Sequence, residues 1–498
     1  MAIQTIFNTK HLHLSDLVAS TMLSDDVFVF CRRNALNEVK YDNTIIEFTN
    51  LAAAINALAP ALGWNLLGNA GTSSITNFIG TTDNVPLNFR VNNNKAGTIS
   101  SSSTSSTFFG YNAGSVTTGI QNTAFGYESL LVNTLGLNNI ALGTKALTRN
   151  TTGISNTAIG TFSMFYNISG NVNTAIGESA SQNNTTGSNN VSVGKNALFS
   201  NTTGNENISI GSSALSSNLT GSYNIAIGHN SLQVNLSSSN TAIGHSSQQR
   251  STVGFNTSVG FSTLKFNTTG INNVAIGYQT LLVNITGSSN TGIGFEVLKD
   301  NTSGSNNTGI GNNSLSNNTT GQSNIAIGAN SLLTNTTGND NNAIGVSSLQ
   351  DNTTGLSNNA LGSAALVSNT IGSSNVAIGQ SALFSNISGN NNIGIGSAAL
   401  QDNITGSNNT AIGYNTATGL ISGSNNTIIG SGIITTPLLS DNIILGTGAG
   451  TVRLQFNATG LLTLTGPSVS VAVATASTNK IQVVIGATTY YLLATTIP

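Results

Sequence analysis

The stretch Asn324-Ile325-Ala326-Ile327-Gly328-Ala329-Asn330-Ser331-Leu332 decides the fold, because the chain keeps returning to it. Its asparagine and glycine recur twenty times, with the motif glycines running from Gly126 to Gly446. The spacing is 17, shortened to 16 at the two steps between Gly228 and Gly260 and at the last step. A repeat this short cannot enclose a core by itself, so each repeat is one coil of a stack. Numbering each coil from its glycine separates columns. The residue before the glycine is always apolar, as in Ile159, Ile176, Ile210, Ile227, Ile276, Ile327 and Ile378. Four residues after it comes a mostly leucine column that includes Leu198, Leu215, Leu332 and Leu383.

These columns predict an all-β chain, a parallel β-solenoid (β-roll) of about twenty 17-residue coils. Two short strands per coil are expected, with the Ile and Leu columns meeting inside. The asparagine column (Asn156, Asn173, Asn190, Asn207, Asn224, Asn324, Asn375, Asn409) is expected at a bend, its amides bonding along the axis. Elsewhere the coil is turn chemistry, such as Asn201-Thr202-Thr203-Gly204. Between the two outer strand positions lies a small residue (Ala158, Ala175, Ser192, Ala226), read as a strip that another chain approaches closely. A coil this thin buries little apolar surface against a backbone ordering cost of about 1–2 kcal/mol per residue. Self-association, most simply a homotrimer, is the expected remedy.

Four regions follow. Residues 1–60 form a small α+β domain, with a helix over Leu51–Leu58 ended by Pro60 and strands at Asp26–Phe30 and Glu38–Tyr41. Residues 61–109 are a connector, 110–446 the solenoid, and 447–498 a β tip or cap. The tip carries a hairpin of Lys480–Ile485 and Thr488–Leu493 around Gly486-Ala487.

Composition excludes several functions. Charged residues are 6% of the chain and net charge is −2, leaving no basic stripe for nucleic acid. A single cysteine, Cys31, rules out an intrachain disulfide and a thiolate metal cage. No run reaches the roughly 18 apolar residues of a membrane helix. The start of the chain reads as lacking a signal peptide, so cytoplasmic synthesis is expected. Glu296 with Asp300, and Asp340 and Asp351, are the carboxylates a glycan-cleaving site would need, but they sit at non-repeating outer positions. His229 and His245 occupy the same position in successive coils without a third ligand. No catalytic, cofactor or metal site is expected.

The unit Asn-x-Ala-Ile-Gly-x-x-Ser/Ala-Leu resembles the head repeats of trimeric autotransporter adhesins of the YadA type, over residues 110–446. That resemblance implies a parallel β-roll packed three to a trimer. The coils here are longer than the adhesin repeats. Neither the secretion signal nor the membrane-anchoring barrel of that family is expected here. Similar repeats occur in fibre and spike proteins of bacteriophages and phage-like particles. The chain is therefore expected to be a structural fibre on a virion or phage-like particle surface. Residues 1–60 would dock to the particle and the tip would meet a host glycan or protein, with Tyr490 and Tyr491 as candidate contacts. A cell-surface adhesin exported by a non-classical route and a glycan-depolymerising tailspike are the alternatives.

Overall fold

The computed structural model describes residues 31–33, 39–41, 79–102, 104–465, 477–485 and 488–495. The chain divides into two compact units, Met1–Asp83 and Asn84–Pro498. In the first, Cys31–Arg33 pairs antiparallel with Val39–Tyr41. The expected helix over 51–58 and the strand at 26–30 lie outside the described residues.

The second unit is a parallel β-solenoid of about twenty coils, and no helix occurs among the described residues. Each coil contributes one three- to five-residue strand covering the three positions before the motif glycine, as in Ile325–Ile327. Each strand lies in register on its neighbours: Ala326 pairs with Gly309 on one side and Ala343 on the other. Residues 87–109, expected as connector, join this stack. Leu87–Val91 and Asn94–Ile99 form a hairpin whose turn residues, Asn92 and Asn93, both have positive φ (47° and 58°). Its second strand pairs antiparallel with Thr107–Phe109, which starts the parallel ladder. At the far end Val452–Phe456 pairs antiparallel with Ile443–Gly446, and Leu462–Leu464 follows. Antiparallel strands thus cover both ends of the parallel ladder. Ser477–Ile485 and Thr488–Thr495 form the expected hairpin.

The second strand expected in every coil is replaced by an alternating turn. Asn330 and Leu332 both adopt left-handed φ, 56° and 49°, and the same two columns repeat this along the stack. The backbone still bonds coil to coil, but in opposite directions. Asn330 N–H donates to Asn312 in the preceding coil and Leu332 N–H to Ser348 in the following one. A left-handed leucine costs about 1–2 kcal/mol, which full burial of its side chain, worth about 1.5–3 kcal/mol, offsets. A second strand appears only in the short coils, where Val234–Asn235 pairs with Arg250–Ser251.

The interior differs from expectation in one respect. Leu198, Leu215, Leu332 and Leu383 are fully buried, but they pack with the equally buried small column, Leu198 and Leu215 with Ala226, and Leu332 and Leu383 with Ala326 and Ala377, as Met164 does with Ala158 and Ala175. The isoleucines point outward: Ile176, Ile210, Ile276, Ile327 and Ile378 are 36–39% exposed, while Ile159 and Ile227 are half-buried. Assigning Ile159, Ile176, Ile210, Ile227, Ile276, Ile327 and Ile378 to the core is therefore corrected, and so is the small column as a surface strip. The reason is parity. The ladder asparagine must face inward to satisfy its amide, and strand alternation puts the residue two further on inside with it. That residue is the alanine.

Two interruptions cut the apolar interior into three clusters. Ser181 takes a leucine position and bonds the Ser192 hydroxyl at 2.8 Å. Gln248 takes another and donates to Asn240 Oδ1 (2.8 Å) and Ser251 Oγ (3.0 Å), while Ser258 donates to its Oε1. Both substitutions bury polar groups that are hydrogen-bonded, which keeps the coil closed at modest cost.

Candidate functional faces of the coil

Two rows of buried asparagine amides hold the coil's shape. In the first, the Asn324 backbone N–H and Nδ2 both donate to Asn307 Oδ1 (3.0 and 3.1 Å), and Nδ2 also donates to the Gly338 carbonyl (2.8 Å). Asn156, Asn173, Asn190, Asn207 and Asn375 repeat this pattern in full, and Asn224 does so with the Ser237 carbonyl in place of a glycine's. Asn409 keeps the backbone bond and the glycine carbonyl. The second row, seven residues after the motif glycine, runs from Asn133 through Asn201, Asn218 and Asn235, is interrupted by Ser251 and resumes at Asn267. There Asn335 Nδ2 donates to Asn318 Oδ1 (2.8 Å) and to the same Gly338 carbonyl (3.0 Å). One turn carbonyl thus accepts from both rows. A side chain on Gly338 would press against Asn335 Oδ1 and the Gly355 carbonyl. The sequence carries this second row at the same 17-residue interval, inside stretches such as Asn201-Thr202-Thr203-Gly204 whose local pattern signals only a turn. The row stops where Leu420 occupies its position, and Asn403 Oδ1, the acceptor that an asparagine there would have met, is left without a partner.

The outward face of the sheet presents three columns: the β-branched residue three before the glycine, the isoleucine one before it, and the residue one after it. The last column is aromatic over five successive coils. His229, His245, Phe261, Tyr278 and Phe295 stack with centroids 5.1–5.4 Å apart. Phe89, Phe109 and Phe125 continue the apolar surface at the start of the ladder. The two histidines predicted to be neighbours therefore are neighbours, as the end of an aromatic stack. Among the described residues no three His, Cys, Asp or Glu groups come together as a metal site.

The wall opposite the sheet carries a second strip, five and six residues after each glycine. Backbone bonds show its rungs to be contiguous: Arg149 donates to Phe165, Tyr166 to Gln182, Asn183 to Phe199, and Ser200 to Ser216. The Arg149 guanidinium lies 4.7 Å from the Tyr166 ring centroid and 5.4 Å from that of Phe165. Beside it Lys145 pairs with Glu128 at 3.7 Å and lies over Tyr127 and Phe162. Hydrogen bonding to the Glu128 carboxylate, and its charge, raise the Tyr127 hydroxyl above the ordinary phenol range. Three rungs along, a recess of about 200 Å³ is lined by Asn196, Phe199, Ser200, Ser213, Ser216 and Ser217.

The candidate carboxylates do not form a paired site. Glu296 is bound by Lys299 at 3.0 Å. Asp300 and Asp351 sit on the opposite-wall strip in different coils, and Asp340 (φ 58°) occupies a turn before the first asparagine row. The backbone of Tyr490 and Tyr491 lies in the terminal hairpin, paired with Val483 and Gln482. No family model, no curated protein and no solved structure matches this chain.

Proposed function

We propose that this chain is a structural fibre protein that associates through the outward face of its sheet into a homotrimer. The trimer would form a stiff shaft on the surface of a phage or phage-like particle. The observation that carries this reading is the isoleucine column itself. A row of branched apolar side chains, 36–39% exposed in Ile176, Ile210, Ile276, Ile327 and Ile378, runs along the stack on the outward face of the sheet. A long exposed apolar surface is what association covers. Stacking at about 4.8 Å per coil makes the shaft on the order of 95 Å long, a length suited to holding a tip away from a surface. The likeness of the repeat to YadA-type head repeats and to phage fibre repeats supports the same reading. Residues 1–60 would dock to the particle and the terminal hairpin would face the host, with Tyr490 and Tyr491 as first candidates for contact. No catalytic role is assigned.

Mass measurement of the full chain in solution tests the trimer. Three times the chain mass of 50.7 kDa is expected, and a chain that stays monomeric at micromolar concentration overturns it. Antibody labelling of purified particles in the electron microscope tests the location. Label on the host cell envelope with none on particles would reject the fibre.

A further inference from the structure

The strip on the wall opposite the sheet differs sharply between the two halves of the stack. From Gly126 to Asp300 it carries cations over rings: Arg149 on Phe165 and Tyr166, then Arg250 and Lys265 on Phe266. From residue 301 to Val452 the sequence contains no lysine, arginine or histidine, and the strip holds Asp351 and Asp402. Arg149 is exposed, and among the described residues no carboxylate lies within ion-pair distance of it. It sits against two rings that meet edge to face, Phe165 and Tyr166 (centroids 4.7 Å apart, planes 86° apart), and its five N–H donors suit a two-pronged bond to a carboxylate. Farther along the same strip come Gln182 and Asn183, and then the recess over Phe199 with its serine hydroxyls. The order is cation on aromatic rings, amides, an aromatic floor, hydroxyls. All of these side chains beyond Arg149 are half-buried rather than projecting.

We infer that the strip from Arg149 to Ser217 is a lateral binding groove for a carboxylate-bearing oligosaccharide. Arg149, seated against Phe165 and Tyr166, holds the carboxylate, the Phe199 ring takes the apolar C–H face of a sugar, and the amides and hydroxyls along the strip meet the sugar hydroxyls. Apolar surface with a few convergent polar groups is the usual make-up of a small-molecule site. A sugar chain lying along the axis meets a new rung about every 4.8 Å, so one saccharide unit matches roughly one coil. Nucleic acid is disfavoured because Lys145 is already engaged by Glu128, leaving too little positive charge to follow a phosphate backbone. The far half of the strip has no cation to hold the carboxylate. This inference does not depend on the trimer or on the particle.

The test titrates the full chain with a hexamer of galacturonate and with its methyl ester, which keeps the sugar rings but removes the charge. Binding of the acid is expected, weakened at least tenfold in the ester and falling with added salt. Arg149→Gln and Arg149→Lys should each weaken it at least tenfold, the lysine because an ammonium cannot make the two-pronged bond. Phe199→Ser should do the same, and Asp351→Asn should leave it unchanged. Equal affinity for acid and ester overturns the inference, as does indifference to Arg149→Gln. Failure of galacturonate, hyaluronan and sialic acid oligomers alike to bind the unaltered chain also overturns it, and that arm needs no variant to fold.

Discussion

The two aliphatic columns of this coil sit five residues apart in sequence and have opposite fates. Leu332 is wholly buried in a left-handed turn, while Ile327, on a regular strand, is 36% exposed. The residue with the less favourable backbone is the one inside. Hydropathy therefore does not choose the interior of so narrow a coil. The two asparagine rows choose it, because an amide can be buried only where carbonyls and other amides meet it. The space left between the rows fits one leucine against an alanine and no more. Apolar residues excluded from that space form a second surface, available to a partner.

The largest expected effect follows from this division. Leu332→Ala opens a cavity flanked by fixed amide rows that cannot collapse into it, and should cost about 2–5 kcal/mol. The loss is read from the denaturation midpoint and from faster hydrogen exchange at Leu332 and Leu315. A cost below about 1 kcal/mol would mean that leucine is not what fills the coil.

Gly328→Ala comes next, at about 3 kcal/mol. Gly328 has φ +135°, a conformation nearly confined to glycine, and an added Cβ would stand 2.5 Å from the Gly345 carbonyl. That carbonyl belongs to the next coil's own invariant glycine and cannot retreat without opening the stack. Thermal unfolding of the variant checks the magnitude, and an unchanged midpoint would contradict the close contact.

Much of this was legible in the sequence. The 17-residue interval announced stacked coils, and the asparagine column announced amides bonded along the axis. The direction of Ile159 was legible too, had parity been counted from Asn156. Positions 156, 158 and 160 share one face, so Ala158 goes inside and Ile159 outside. Hydropathy alone favours the isoleucine for the inside, and parity overrides it. The second row, from Asn133 through Asn235 and again from Asn267 to Asn403, recurs almost as regularly, but Asn-Thr-Thr-Gly is equally good turn sequence and carries no local sign that its asparagine is buried. The left-handed leucines had no local signal at all, since leucine disfavours that conformation and only the tertiary setting imposes it. The recess over Phe199 and the seat of Arg149 likewise arise from side chains seventeen residues apart, visible only once the coils are stacked.

Ala326→Val tests the narrowness of the interior directly. The alanine is wholly buried and packs within the same cluster as Leu332 and Leu349. Two extra methyl carbons force a leucine out of its rotamer or push a coil outward, for about 1–3 kcal/mol. Valine has the higher strand propensity, so propensity alone forecasts the opposite sign. The denaturation midpoint decides between them.

The smallest effect on the chain itself should come from the outward column, and it sharpens the comparison most. Ile327→Ser removes a side chain already partly in water, and in an isolated chain should cost about 1 kcal/mol. Five such changes together, at Ile276, Ile310, Ile327, Ile344 and Ile378, replace a continuous apolar ridge with hydroxyls while leaving both asparagine rows and every core leucine in place. The altered chain should keep its β-sheet circular dichroism and lose self-association, measured as a fall in solution mass toward that of one chain. If the mass stays unchanged while the spectrum is kept, the outward isoleucines are not the surface on which copies meet. If the spectrum collapses instead, the outward column supports the coil from outside, and the division between an interior made by amides and a surface made by isoleucine does not hold.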